Sequence, residues 1–161
     1  MFDFLKKNKN KSDLHAIVNG EVVELSTVND PVFAEKMMGD GFAMKPEDGT
    51  VYSPVNATVK MVAPTKHAIG LIMENGIEIL LHLGIDTVEL EGKPFEVHVT
   101  EGQTVTSDTP LITMDLNQLK EADKDNTIMV IFTKADKVKA FNVDYKQANV
   151  HDVIGQVEAA K

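Results

Sequence analysis

Short apolar runs broken by turn-forming residues constrain the fold of this chain more than any other feature of its sequence. Asn19-Gly20, Asn29-Asp30-Pro31, Gly39-Asp40-Gly41, Asp48-Gly49, Ser53-Pro54, Asn75-Gly76, Glu91-Gly92 and Glu101-Gly102 interrupt it before a long helix can grow. The segments between them often alternate apolar and polar residues, the pattern of half-buried strands. An all-β sandwich or barrel is therefore predicted. The expected strands are Ala16 to Val18, Glu21 to Leu25, Phe42 to Lys45, Ala57 to Val62, Ala68 to Met73, Ile77 to Leu83, Phe95 to Val99, Leu111 to Asp115, Ile128 to Thr133 and Val153 to Val157. Helical signals are confined to Val32 to Met38, behind Asp30-Pro31, and Leu116 to Asp123.

At 161 residues, 43% of them hydrophobic, the chain can bury a core as a single domain. It has no cysteine, which excludes zinc ribbons, iron-sulfur clusters, disulfides and thiol nucleophiles. Its cations are all lysine and its formal net charge is -9, so nothing grips phosphate or guanine bidentately and nucleic acid is not the expected partner. No long apolar run and no secretory leader pattern stand out, and a cytoplasmic location is expected.

Charge divides the chain unevenly. Residues 1–13 read as a flexible basic N-terminal segment and 14–161 as the folded domain. In the first eleven residues Met1, Phe2, Phe4 and Leu5 would share one side of a helix and precede Lys6, Lys7, Lys9 and Lys11. So short a helix does not hold in water, but an anionic lipid surface could order it, giving a weak contact at the inner membrane face.

The segment from Thr65 to Leu90 carries the chemistry. Asn75-Gly76 between two apolar runs is a strong hairpin signal, because both central residues of a type I′ turn need positive φ. A two-residue turn there would set Ile69 opposite His82, Leu71 opposite Leu80 and His67 opposite Gly84. His67 and His82 would then be diagonal neighbours, roughly 7 Å apart, converging on one small group such as a phosphoryl or a metal ion. Ile69, Leu71, Met73 and Leu80 would share their face, an apolar patch suited to docking another protein.

Three motifs in this order carry a family resemblance: Asp30 to Pro46 (DPVFAEKMMGDGFAMKP), Pro64 to Ala68 (PTKHA) and His82 to Leu90 (HLGIDTVEL). Together they resemble the glucose-type IIA component of the bacterial phosphoenolpyruvate-dependent sugar phosphotransferase system, and the likeness runs more loosely from Ile17 to the C-terminus. The resemblance implies a flattened antiparallel β-sandwich of barrel-sandwich type with one or two short helices. It also implies a phosphotransferase that takes a phosphoryl group from the histidine phosphocarrier protein and passes it to the IIB domain of a sugar permease. By the same resemblance His82 corresponds to the phosphoacceptor, His67 to the histidine that hydrogen-bonds the phosphoryl oxygens, and Thr65 to the residue that orients it. Asp30 and Asp86 match acidic residues that meet the basic carrier, and Phe33, Met37, Met38, Leu80 and Val88 match its apolar docking ring. The sequence departs from the family at Ile17, where proline is usual, and at Ala57, Ser107 and His151, where glycines are usual.

Imidazole chemistry supports the same reading. A neutral imidazole is nucleophilic near pH 7, and an N-linked phosphoryl group retains a high transfer potential. Two other functions use the same residues. A protein that binds regulatory targets according to its phosphorylation state needs the same surface. A zinc-dependent hydrolase could use His67, His82 and Asp86, but zinc peptidases of related architecture add a His-x-His pair that is missing here. Incidental zinc at His67 and His82 remains compatible with a relay that requires no cofactor.

Overall fold

Antiparallel strands dominate the computed structural model, which describes residues 10–160. In chain order they are β1 (Lys11–His15), β2 (Gly20–Glu24), β3 (Asp40–Pro46), β4 (Thr50–Tyr52), β5 (Ala57–Val62), β6 (Ala68–Ile72), β7 (Glu78–Leu83), β8 (Phe95–Val97), β9 (Thr104–Val105), β10 (Pro110–Met114), β11 (Ile128–Phe132), β12 (Val138–Val143), β13 (Gln147–Ala148) and β14 (Val153–Ala159). Two short α-helices interrupt them, α1 (Pro31–Ala34) and α2 (Leu116–Glu121). The strands form an eight-stranded sheet in the order β13-β2-β3-β11-β7-β6-β5-β9 and two three-stranded sheets, β1-β14-β12 and β4-β10-β8.

One core joins all three sheets. Leu14 and Val157 meet it from the first small sheet, Val51 and Ile112 from the second, and Ile79, Leu81 and Leu83 from the large one, all with 2% exposure or less. Each such side chain contributes about 1.5–3 kcal/mol through burial. Strand β7 lies between β11 and β6 with strict alternation, so Glu78, Leu80 and His82 face away from this core. A smaller cluster covers that outer face: Leu25, Val28, Phe33, Ala43, Ile85, Met129 and Ile131, with Leu80 packed against it.

Helix α1 supplies much of the cover. Asp30 caps it by accepting from Val32 N–H at 2.9 Å, and Pro31 occupies the first turn, where no N–H is needed. The helix stops earlier than the predicted Val32 to Met38. Lys36 turns left-handed at φ 62° and donates to Phe33 O, while Met37 donates to Val32 O, the paired bonds of a Schellman motif. Helix α2 likewise ends at Glu121 rather than Asp123.

The hairpin is shifted by one residue from its predicted register. Ala68, not Ile69, pairs with His82, and Gly70, not Leu71, pairs with Leu80. The loop is the three-residue form: Gly76 donates to Met73 O and sits at φ 92°, while Met73 N–H bonds Ile77 O. A slip of one residue exchanges the faces of a strand. Ile69, Leu71 and Met73 accordingly lie in the main core, not beside the histidines.

Ala16 to Val18, predicted as a strand, is fully buried but bent. Its backbone bonds go to separate partners, Ala16 N–H to Asp152 O and Ile17 O from Tyr52 N–H, so no ladder forms. The domain boundary expected after Asp13 falls inside β1, where Lys11 pairs with Glu158. Most of the basic segment, and with it the expected lipid contact, lies outside the described residues. His151 adopts φ 75°, with its ring 4.6 Å from that of Tyr52.

Candidate functional site

His82 and His67 reach one another despite the register shift, and a bend in the chain is responsible. Pairing of Ala68 with His82 sets His67 beyond the end of β6, where simple alternation would turn it to the opposite face. Lys66, however, is left-handed at φ 61° and closes a turn by donating to Ala63 O. His67 leaves this turn with its carbonyl bonded to Leu83 N–H, and its ring stands 5.1 Å from that of His82, edge to face. Thr65 Oγ1 is hydrogen-bonded to His67 Nδ1.

The tautomer of His82 follows from its partner. Nδ1 lies 2.9 Å from Gly84 O, and a carbonyl only accepts, so Nδ1 carries the proton. The lone pair of the neutral ring is therefore on Nε2. Burial pushes the His82 pKa below 6.5; the His67 ring adds to the shift, while the bond to Gly84 and the charges of Asp30 and Asp86 oppose it. Burial lowers His67 as well. Both rings are neutral at pH 7, as a nucleophile and a hydrogen-bonding partner for an incoming anion require.

Phe33 packs on the other side of His82, with ring centroids 4.8 Å apart. At 6% exposure Phe33 fixes the imidazole more than it offers surface, and Leu80 is half-buried beneath the same cover. Both differ from the open docking residues expected of them. Of the five apolar residues expected to form the docking ring, Met37 at 72%, Val88 at 48% and Met38 at 43% exposure are open. The Asp30 carboxylate caps α1, and Asp86 is exposed at φ 59°.

Two features of the site were not predicted from sequence. One is the acceptor role of Gly84, which sits at φ 81°. The other is the segment Asp125 to Thr127, which bonds the backbone on either side of that carbonyl: Gly84 N–H donates to Thr127 O and Ile85 N–H to Asp125 O. The Asp-x-Thr spacing ahead of a strand is an Asx-turn signal that could have marked it.

As a metal site the arrangement is incomplete. His67 and His82 supply two donors, but among the described residues no group of three or more His, Cys, Asp or Glu side chains is placed to hold an ion. A resident zinc normally takes four ligands, or three plus water. No helix among the described residues is long and apolar enough to cross a membrane.

A neutral His82 ring with its lone pair on Nε2 and a second imidazole beside it, set on an inner strand of an antiparallel sheet, has the chemistry that group transfer through histidine needs. Comparison with known proteins makes the class specific. The family model described as phosphoenolpyruvate-dependent sugar phosphotransferase system, EIIA 1, matches residues 12–138. The PTS system glucose-specific EIICBA component of Streptococcus pneumoniae is 48% identical over 132 residues, covering 82% of this chain and 18% of that protein. The chain thus spans less than a fifth of that relative. The solved structure of glucose permease IIA from Mycoplasma capricolum matches with a TM-score of 0.83 at 34% identity, over 91% of this chain and 95% of that one.

The chain belongs to the EIIA 1 family of the phosphoenolpyruvate-dependent sugar phosphotransferase system. It has the β-sandwich fold of the IIA glucose permease.

Proposed function

We propose that His82 is the residue that carries the phosphoryl group between the histidine phosphocarrier protein and a IIB domain. The observation that carries this reading is the bond from Nδ1–H to Gly84 O, which leaves Nε2 as the nucleophile. With the Thr65 hydroxyl donating to His67 Nδ1, the His67 proton resides on Nε2 and can be given to a phosphoryl oxygen. That donor has particular value in a chain without arginine. Catalysis of phosphoryl transfer is mostly positioning and charge stabilisation, and this pair supplies both. The experiment is to incubate the protein with phosphoenolpyruvate, the general phosphotransferase enzyme and the phosphocarrier. One acid-labile, base-stable phosphate on His82 is expected, and label on any other residue defeats the assignment. His67 and His82 offer two donors to an incidental zinc ion, which this transfer does not require.

The carrier docks, in this reading, on the open residues Met37, Met38 and Val88, with Asp30 and Asp86 drawing a basic partner by charge. Met37→Lys should weaken carrier binding by about tenfold or more, since it sets both a desolvated ammonium and a like charge against that partner. Calorimetric titration measures the loss, and circular dichroism should be unchanged because Met37 is 72% exposed. Unaltered affinity would move the docking surface elsewhere.

Residues 1–11 are proposed to add weak contact with anionic membrane, with Lys11 serving also as the first residue of β1. Removing Met1 to Lys9 leaves that strand whole and should reduce sedimentation with anionic vesicles at low salt. Equal sedimentation of the two chains would refute the contact.

A further inference from the structure

We propose that Asp125 is a positioning residue for phosphoryl transfer, acting on His82 through the backbone at Gly84 and Ile85. The inference rests on the reading of His82 as phosphoacceptor. Gly84 C=O and Ile85 N–H belong to one planar peptide unit. Its oxygen accepts from His82 Nδ1 at 2.9 Å, and its N–H donates to Asp125 O at 3.0 Å. The preceding peptide is held in the same manner. Gly84 N–H donates to Thr127 O at 2.9 Å, and Leu83 O accepts from the buried Thr87 hydroxyl at 2.6 Å.

Both clamping carbonyls come from one short loop, and the Asp125 side chain gives that loop its shape. Oδ1 accepts from Thr127 N–H at 2.8 Å and from Thr127 Oγ1–H at 2.6 Å. Thr127 is 4% exposed, so its hydroxyl has little access to water as a substitute partner. The carboxylate thereby sets the spacing of the two carbonyls, they hold the 84–85 peptide, and that peptide selects the proton position on His82. A peptide free to rotate would offer Nδ1 no fixed acceptor. The proton could then shift to Nε2 and remove the nucleophilic lone pair.

Nitrogen-detected histidine NMR and transfer kinetics on the full chain test the proposal together. Wild type should show a single Nδ1–H signature at His82. Asp125→Ala should give mixed tautomers and lower the acceptance rate at saturating carrier by about tenfold, the order seen when groups that orient a functional histidine are lost, with KM for the carrier unchanged. Asp125→Asn retains an Oδ1 acceptor and should behave as wild type. An unchanged His82 signature in Asp125→Ala overturns the proposal, and so does equal impairment of the two variants. Should Asp125→Ala fail to fold, Thr127→Val, which keeps the shape and removes one donor, must still shift the tautomer signal. The NMR readout does not depend on phosphorylation, so failure of His82 as phosphoacceptor would appear separately, as unlabelled wild type.

Discussion

His82→Gln should abolish phosphoryl acceptance while leaving the fold intact. A glutamine amide can donate to Gly84 O in place of Nδ1–H, so the polar contact at 2.9 Å is replaceable. Its nitrogen has no available lone pair, so the nucleophile is not. Phe33 would lose a ring neighbour at 4.8 Å and His67 one at 5.1 Å, which should cost about 1 kcal/mol of stability. The variant should therefore melt cooperatively, bind the carrier and take no label from phosphoenolpyruvate. Label retained at the wild-type level would place the chemistry on another residue, and a molten variant would mean that His82 serves the fold as well as the transfer.

Much of this site was legible in the sequence because its groups are either local or marked by motif. Thr65 and His67 are two residues apart, and the turn that presents them contains Pro64. The register of the histidine hairpin nevertheless differs by one residue from the predicted one. Asn75-Gly76 reads equally as the centre of a two-residue turn or as the last two positions of a three-residue loop, and only the tertiary packing of Ile69 and Leu71 decides between them. His67 still reaches His82 because Lys66 leaves the β region, and nothing in a lysine codon position signals positive φ.

The strands missed by pattern share a physical cause. β1, β4, β9, β12 and β13 are all edge strands with few buried residues, and β9 and β13, at two residues each, are too short for alternation to register. Conversely, Ala16 to Val18 look like a strand because burial selects apolar residues whether or not a ladder forms. The Asp125 loop follows the charged end of α2 and belongs to none of the three motifs. Its function lies in two backbone carbonyls, and side-chain identity reports on these only indirectly.

Gly84→Ala should be among the most disruptive single-methyl changes available to this protein. A Cβ at Gly84 would lie 2.5 Å from Thr87 Cγ2 and 2.9 Å from Asp125 O. Thr87 is fully buried and tied to Leu83 O, and Asp125 O is backbone, so neither neighbour yields without moving the site. Residence at φ 81° adds a left-handed penalty of about 1–2 kcal/mol for any L side chain. Together a loss of about 2–4 kcal/mol is expected from urea denaturation, with a fall in phosphoryl acceptance as Gly84 O is displaced from His82 Nδ1. Gly102 separates the two causes. It has a similar φ of 88° but nothing within 4 Å of an added Cβ, so Gly102→Ala should cost only the conformational penalty and leave acceptance unaltered. Equal destabilisation by the two substitutions would show that crowding against Thr87 and Asp125 plays no part. Normal acceptance in Gly84→Ala would show that the position of this carbonyl does not govern the nucleophile.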